Sequence, residues 1–144
     1  MNSIDFYFEG LNAVPIYEKV LLSHVNLLIK NELKVVGDIS VVFCSDAYLL
    51  DMNQKYLEHD YFTDVITFDY VEGDTISGDL FISLDRVSDN ANQFNTSFIR
   101  ELYRVVFHGV LHLVGYNDKS AEEVKVMRAK EEYYLNEVDF GGME

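Results

Sequence analysis

The residues of this chain best suited to chemistry lie within eleven positions, His108-Gly-Val-Leu-His112-Leu-Val-Gly115-Tyr-Asn-Asp118. On a helix, residues four apart are separated by about 40° and about 6 Å of rise. His108 and His112 therefore share a face, and both imidazoles can reach one ion. A third ligand from the next turn of the same straight helix would sit in poor geometry. Gly115 offers a bend, because glycine at a helix end readily takes the left-handed conformation that turns the backbone, and Asp118 follows just beyond it. Three protein ligands plus a water is the open arrangement of catalytic zinc, whereas structural zinc is usually closed by four ligands, mostly cysteines. With one cysteine in the chain, the open arrangement is expected, with one Zn2+ per chain.

Each part of the pattern has an ordinary alternative. Two histidines four apart on a helix arise by chance, and an Asp between a glycine turn and a helix start often serves as a cap. The joint pattern is more specific. The apolar stripe of this helix is expected through Phe98, Leu102, Val105, Val106, Gly109 and Leu113, while Glu101, Arg104, His108 and His112 fall together on another face, as a cleft wall would.

Positioning these residues requires a scaffold. Residues 3 to 9 alternate apolar and polar and read as a strand. Asn12 as cap and Pro15 in the first turn open a helix to about Leu33. Ile39 to Cys44 reads as a strand, and Asp46 starts a short helix through Leu49, Met52 and Tyr56. Val65 to Tyr70 and Asp79 to Leu84 are two more strands around a turn at Glu72-Gly-Asp74. A short helix over Asp85 to Asn92 precedes the long one, which Thr96 or Ser97 caps. Ser120-Ala-Glu-Glu123 is a capping box that opens a last helix to about Glu137, and the tail Gly-Gly-Met-Glu is expected to fray. The expected class is α+β, with a small mixed β-sheet of about four strands, packed helices and a zincin-like helix carrying the metal site.

At 144 residues and 49% hydrophobic, the chain fits one domain over 1–144. Cys44 cannot form an internal disulfide and sits in an apolar run, so a buried thiol and a reducing, cytoplasmic setting are expected. No segment has the length for a membrane span or the make-up of an export signal. The net charge of −14 opposes nucleic-acid binding through the whole surface, so any polyanion must be met by a local patch, a cation or a partner.

The segment from His108 to Asp118 resembles the His-Gly-x-Leu-His-Leu-x-Gly-Tyr-Asp-His signature of the YbeY-type rRNA maturation endoribonucleases. Upstream, Met52-Asn53, Tyr56, Asp60 and Thr63-Asp64-Val65-Ile66-Thr67-Phe68 are similar to a second segment of that family, and Gly78-Asp79-Leu80-Phe81-Ile82-Ser83 to its Gly-Asp-Ile-x-Ile-Ser strand. The resemblance implies a zinc-dependent, single-strand-type endoribonuclease of rRNA maturation and ribosome quality control, with rRNA precursors and ribosomal particles as partners and neither DNA nor membrane among them. Two positions depart from it. Asp118 stands where the family usually has histidine; a carboxylate is a competent zinc ligand at nearly the same distance, but it makes a weaker Lewis acid. Leu57 stands where the family commonly has an arginine proposed to face the substrate phosphate. Arg104, one turn before His108, is the candidate replacement and is counted with His108, His112 and Asp118 as catalytic; a salt bridge to Glu101 or Asp118 is its ordinary reading.

Two rivals remain. The spacing also matches the long zinc motif of metzincin peptidases, but the general-base glutamate those enzymes carry after the first histidine is Gly109 here. A ribosome-associated assembly factor with weak or no catalysis is favoured by Leu57 and the acidic surface. His24, His59 and the Lys125, Arg128 and Lys130 group are expected to have no catalytic role, the last lying on a solvated mixed-charge face among Glu122, Glu123, Glu131 and Glu132.

Overall fold

The computed structural model describes residues 2–57 and 63–143, with Leu57 described by its backbone alone. His59 and Asp60 lie outside the described residues. The elements run β1 (Ile4–Phe8), α1 (Glu18–Asn31), β2 (Val35–Cys44), α2 (Asp46–Leu57), β3 (Val65–Asp69), β4 (Thr75–Ser83), α3 (Leu84–Gln93), α4 (Phe98–Val114) and α5 (Ala121–Leu135). The sheet order is β1-β2-β4-β3, so the expected mixed sheet of four strands is present. β1 and β4 flank β2 in parallel, and β3 pairs antiparallel with β4 at the edge, Phe68 opposite Asp79.

The period-2 pattern assigns side chains to two faces. Ile39, Val41, Phe43, Leu80 and Ile82 join Leu21, Val25, Leu28 and Ile29 of α1 and the buried face of α4 in the main core. The opposite face carries a smaller cluster, in which Cys44 and Ile66 pack with Leu49 of α2 against Phe68 and Phe81. Cys44 is fully buried, with its thiol 3.5 Å from the Ile82 carbonyl oxygen, and burial pushes that thiol up to about 12.

Several boundaries differ from the sequence expectation. β2 starts at Val35 rather than Ile39, because Gly37-Asp38, which has turn composition, is taken up as a bulge between Val36 and Ile39. A Cβ at Gly37 would lie 2.1 Å from Ser77 Oγ, so only glycine permits that approach. Correspondingly, β4 starts at Thr75. α1 starts at Glu18, not near Asn12 or Pro15. Tyr17 precedes it in the left-handed region at φ 55, without a side-chain cap, and the Tyr103 hydroxyl donates to the Ile16 and Tyr17 carbonyl oxygens at 2.9 and 3.2 Å. Met143 in the tail packs against the main core and donates its N–H to the Phe140 carbonyl.

α4 is the central helix. It touches β3, β4, α1, α3 and α5, so Ile99, Tyr103, Phe107, Val110 and Leu111 are buried beside the expected stripe. A helix enclosed on most sides is apolar on most sides. Two glycines let α4 lie close to the sheet: a Cβ at Gly109 would sit 2.9 Å from Leu80, and one at Gly78 would sit 2.5 Å from the Phe68 carbonyl and 2.8 Å from Leu113. Among the described residues, no helix is long and apolar enough to cross a membrane.

Candidate metal centre

Ser97 caps the start of α4 by accepting from the Arg100 N–H at 3.1 Å, and Gly115 ends it at φ 125. The Gly115 and Tyr116 N–H groups fold back onto the Leu111 carbonyl at 3.1 and 3.0 Å, satisfying an acceptor the helix end leaves open. The last two turns of α4 project His108 and His112 on one side, with Nε2 atoms 3.1 Å apart. The bent chain returns Asp118, whose Oδ2 lies 3.3 Å from His108 Nε2 and 3.4 Å from His112 Nε2. Atoms bound tetrahedrally to zinc at about 2.0–2.1 Å stand about 3.3 Å from each other. The triangle of two imidazole nitrogens and one carboxylate oxygen therefore fits that ion in donor chemistry and in size.

Anchors on both sides hold the returning loop. Before Asp118, the Tyr116 hydroxyl donates to Glu32 Oε1 at 2.6 Å, and Glu32 Oε2 accepts from Lys130 at 3.0 Å and from the Tyr134 hydroxyl. Burial raises the Glu32 carboxyl, but these three donors outweigh it and hold the group below its ordinary value. After Asp118, Ser120 and Glu123 form the expected capping box.

Behind the histidines lies a buried ionic chain. His108 Nδ1 is 2.7 Å from Glu131 Oε2, and Glu131 Oε1 accepts from Arg104 and Arg128, each at 3.1 Å. Arg104 is gripped two-pronged by Glu101 at 2.8 and 2.6 Å and lies 3.5 Å from Asp64. Burial raises the Glu131 carboxyl, but the His108 hydrogen bond and the Arg104 charge outweigh it, leaving it below the ordinary carboxylate range. Glu131 is 1% exposed, so it does not belong to the solvated face expected of the last helix. The reason is tertiary: α5 packs this position against α4. Glu131 lies four residues after Met127 and three and four before Tyr134 and Leu135, on the buried stripe of α5, whereas Glu132 pairs with Arg100 on the surface.

His108, His112 and Asp118 open into a cleft of about 740 Å³, also lined by Asn53, Thr63, Asp64, Val65, Thr67, Asp69, Asn117 and Lys119. Of the upstream motif, Asn53, Thr63 and Asp64 thus reach the cleft, whereas Tyr56 packs edge-on against Phe68 on the sheet's other side. Arg104 is placed one turn behind His108, with its guanidinium directed to Glu101, Glu131 and Asp64 and not to Asp118. It also lines a neighbouring cavity of about 440 Å³ with Arg100 and Arg128, each of which is paired with a glutamate.

The family model of endoribonuclease YbeY matches residues 13–139 of this chain. Endoribonuclease YbeY of Phocaeicola vulgatus is 49% identical over 128 residues, spanning 89% of this chain and 93% of its own length. That of Parabacteroides distasonis is 46% identical over 129 residues, 90% of this chain and 91% of its own. The solution structure of TM1509 from Thermotoga maritima superposes with a TM-score of 0.68 at 31% identity, over 97% of this chain and 91% of that one.

Proposed function

The chain belongs to the endoribonuclease YbeY family, and on that premise we propose that it is a zinc-dependent endoribonuclease acting on rRNA precursors and ribosomal particles in the cytoplasm. One Zn2+ per chain is held by His108, His112 and Asp118. The observation that carries this reading is the 3.1–3.4 Å triangle of their ligand atoms at the floor of an open cleft. When bound, zinc supplies Lewis acidity toward a phosphoryl oxygen and toward water. The chain's own residues then bind and orient. Asn117 offers an amide and Thr67 a hydroxyl to ribose and phosphate oxygens, while Lys119 is the only Lys or Arg lining the cleft among the described residues. In a molecule of net charge −14, that ammonium is the charge best placed to meet a phosphodiester.

The test is cleavage of single-stranded rRNA segments. Cleavage is expected to disappear with a chelator, return with zinc, and be abolished in His108→Ala while the fold persists. Activity unaffected by metal removal would overturn the reading.

An assembly factor with little turnover is the second reading, favoured by the engagement of Arg104 with three carboxylates. It predicts that zinc-loaded protein leaves rRNA uncut while His112→Ala still binds ribosomal particles. A peptidase is disfavoured. The position of its general base is Gly109, whose Cβ direction points at Leu80 in the core rather than into the cleft.

A further inference from the structure

We propose that Glu131 is a positioning residue for the metal centre: it selects the nitrogen that His108 turns toward His112 and Asp118, and Arg104 holds it in place. The inference rests on His108 being a metal ligand and assigns roles to two residues outside the ligand set.

An ionised carboxylate only accepts hydrogen bonds. With Glu131 Oε2 at 2.7 Å from Nδ1, the proton of a neutral His108 ring belongs on Nδ1. That leaves the Nε2 lone pair facing the other two ligand atoms. The same contact fixes the rotation of the ring, which is how outer carboxylates orient ligating histidines. Glu131 cannot turn away, because its other oxygen is occupied by Arg104 and Arg128. Arg104 is fixed in turn by the two-pronged contact with Glu101, which is 2% exposed. A buried ion pair between Arg104 and Glu131 alone would not require the second carboxylate oxygen to sit on an imidazole. Glu101, Arg104 and His108 follow one another on α4, and Glu131 reaches them from α5, so the link ties the ligand to the packing of two helices.

Glu131→Gln discriminates. Its amide oxygen is drawn to the two arginines, which turns the NH2 group, a donor, toward Nδ1 and favours the opposite tautomer. Long-range 1H–15N NMR of the metal-free protein is expected to show His108 protonated on Nδ1 in the unsubstituted chain and on Nε2 in the variant. Chelator competition is expected to show zinc bound about 10–100-fold more weakly. Glu132→Gln, one residue along and on the surface, should match the unsubstituted chain in both readouts. An unsubstituted chain carrying the proton on Nε2, or a Glu131→Gln variant binding zinc as tightly as its parent, would overturn the proposal. The tautomer is read without the variant and without metal, so misfolding of the variant cannot mask it. Neither readout uses RNA, so a failure of the ribonuclease reading registers separately.

Discussion

Asp118 is the proposed ligand whose replacements separate having a metal from the strength of the site. Removing its carboxylate leaves two imidazoles 3.1 Å apart with nothing to close the third side, and two ligands alone make a poor zinc site. Metal analysis of purified Asp118→Ala is expected to show zinc content falling from about one ion per chain toward none. Asp118→His restores an all-imidazole set and is expected to keep the ion; loss of zinc from that variant would mean the loop is shaped for a carboxylate alone. His108, His112 and Asp118 were legible because all three lie in one stretch, where helix periodicity and one glycine dictate who meets whom. Glu131 was read as part of a solvated face because of its charged neighbours Arg128 and Lys130, although its helical spacing from Met127, Tyr134 and Leu135 puts it on the stripe that α5 buries.

The helices that carry these residues are held by contacts distant in sequence. Glu32 at the end of α1 joins the loop after α4, through Tyr116, to α5, through Lys130 and Tyr134. Its folded carboxyl titrates below the unfolded value. The stability it contributes is therefore fully present above the ordinary carboxylate range and is lost as pH falls through the depressed folded value. Glu32→Gln should cost about 1–3 kcal/mol in urea unfolding at neutral pH, and the gap should close on acidification; a gap that widens in acid would reverse the assigned sign. At the sheet, Gly78→Ala places a methyl against the Phe68 carbonyl, which cannot rotate away. A loss of about 1–3 kcal/mol is expected in the same assay. Caps made the helix starts at Ser97 and Ser120 readable from local chemistry. The start of α1 was not readable, because a tyrosine in the left-handed region, tied to Tyr103 from 86 residues away, overrides the local signals of Asn12 and Pro15.

The molecule as a whole opposes its proposed substrate, and net charge announced this without showing where relief lies. Arg86, Arg100, Arg104, Arg128, Lys34, Lys55 and Lys130 are ion-paired, and of the other four, Lys19, Lys30, Lys119 and Lys125, it is Lys119 that lines the cleft. Lys119→Ala is expected to weaken binding of single-stranded RNA and to reduce the slope of log affinity against log salt by about 0.7, the contribution of one phosphate contact on a single strand. Zinc content should be unchanged, and Lys119→Arg should restore the slope; an unaltered slope in the alanine variant would remove this residue from the binding surface. At the same scale, the burial of Cys44 gives the chain an internal clock. Thiol reagents attack the thiolate, and this one is both sealed between β2 and α2 and held protonated, so labelling must wait until those layers part. The labelling rate counts openings of the core, and any species that associates only with the closed form slows the count by mass action.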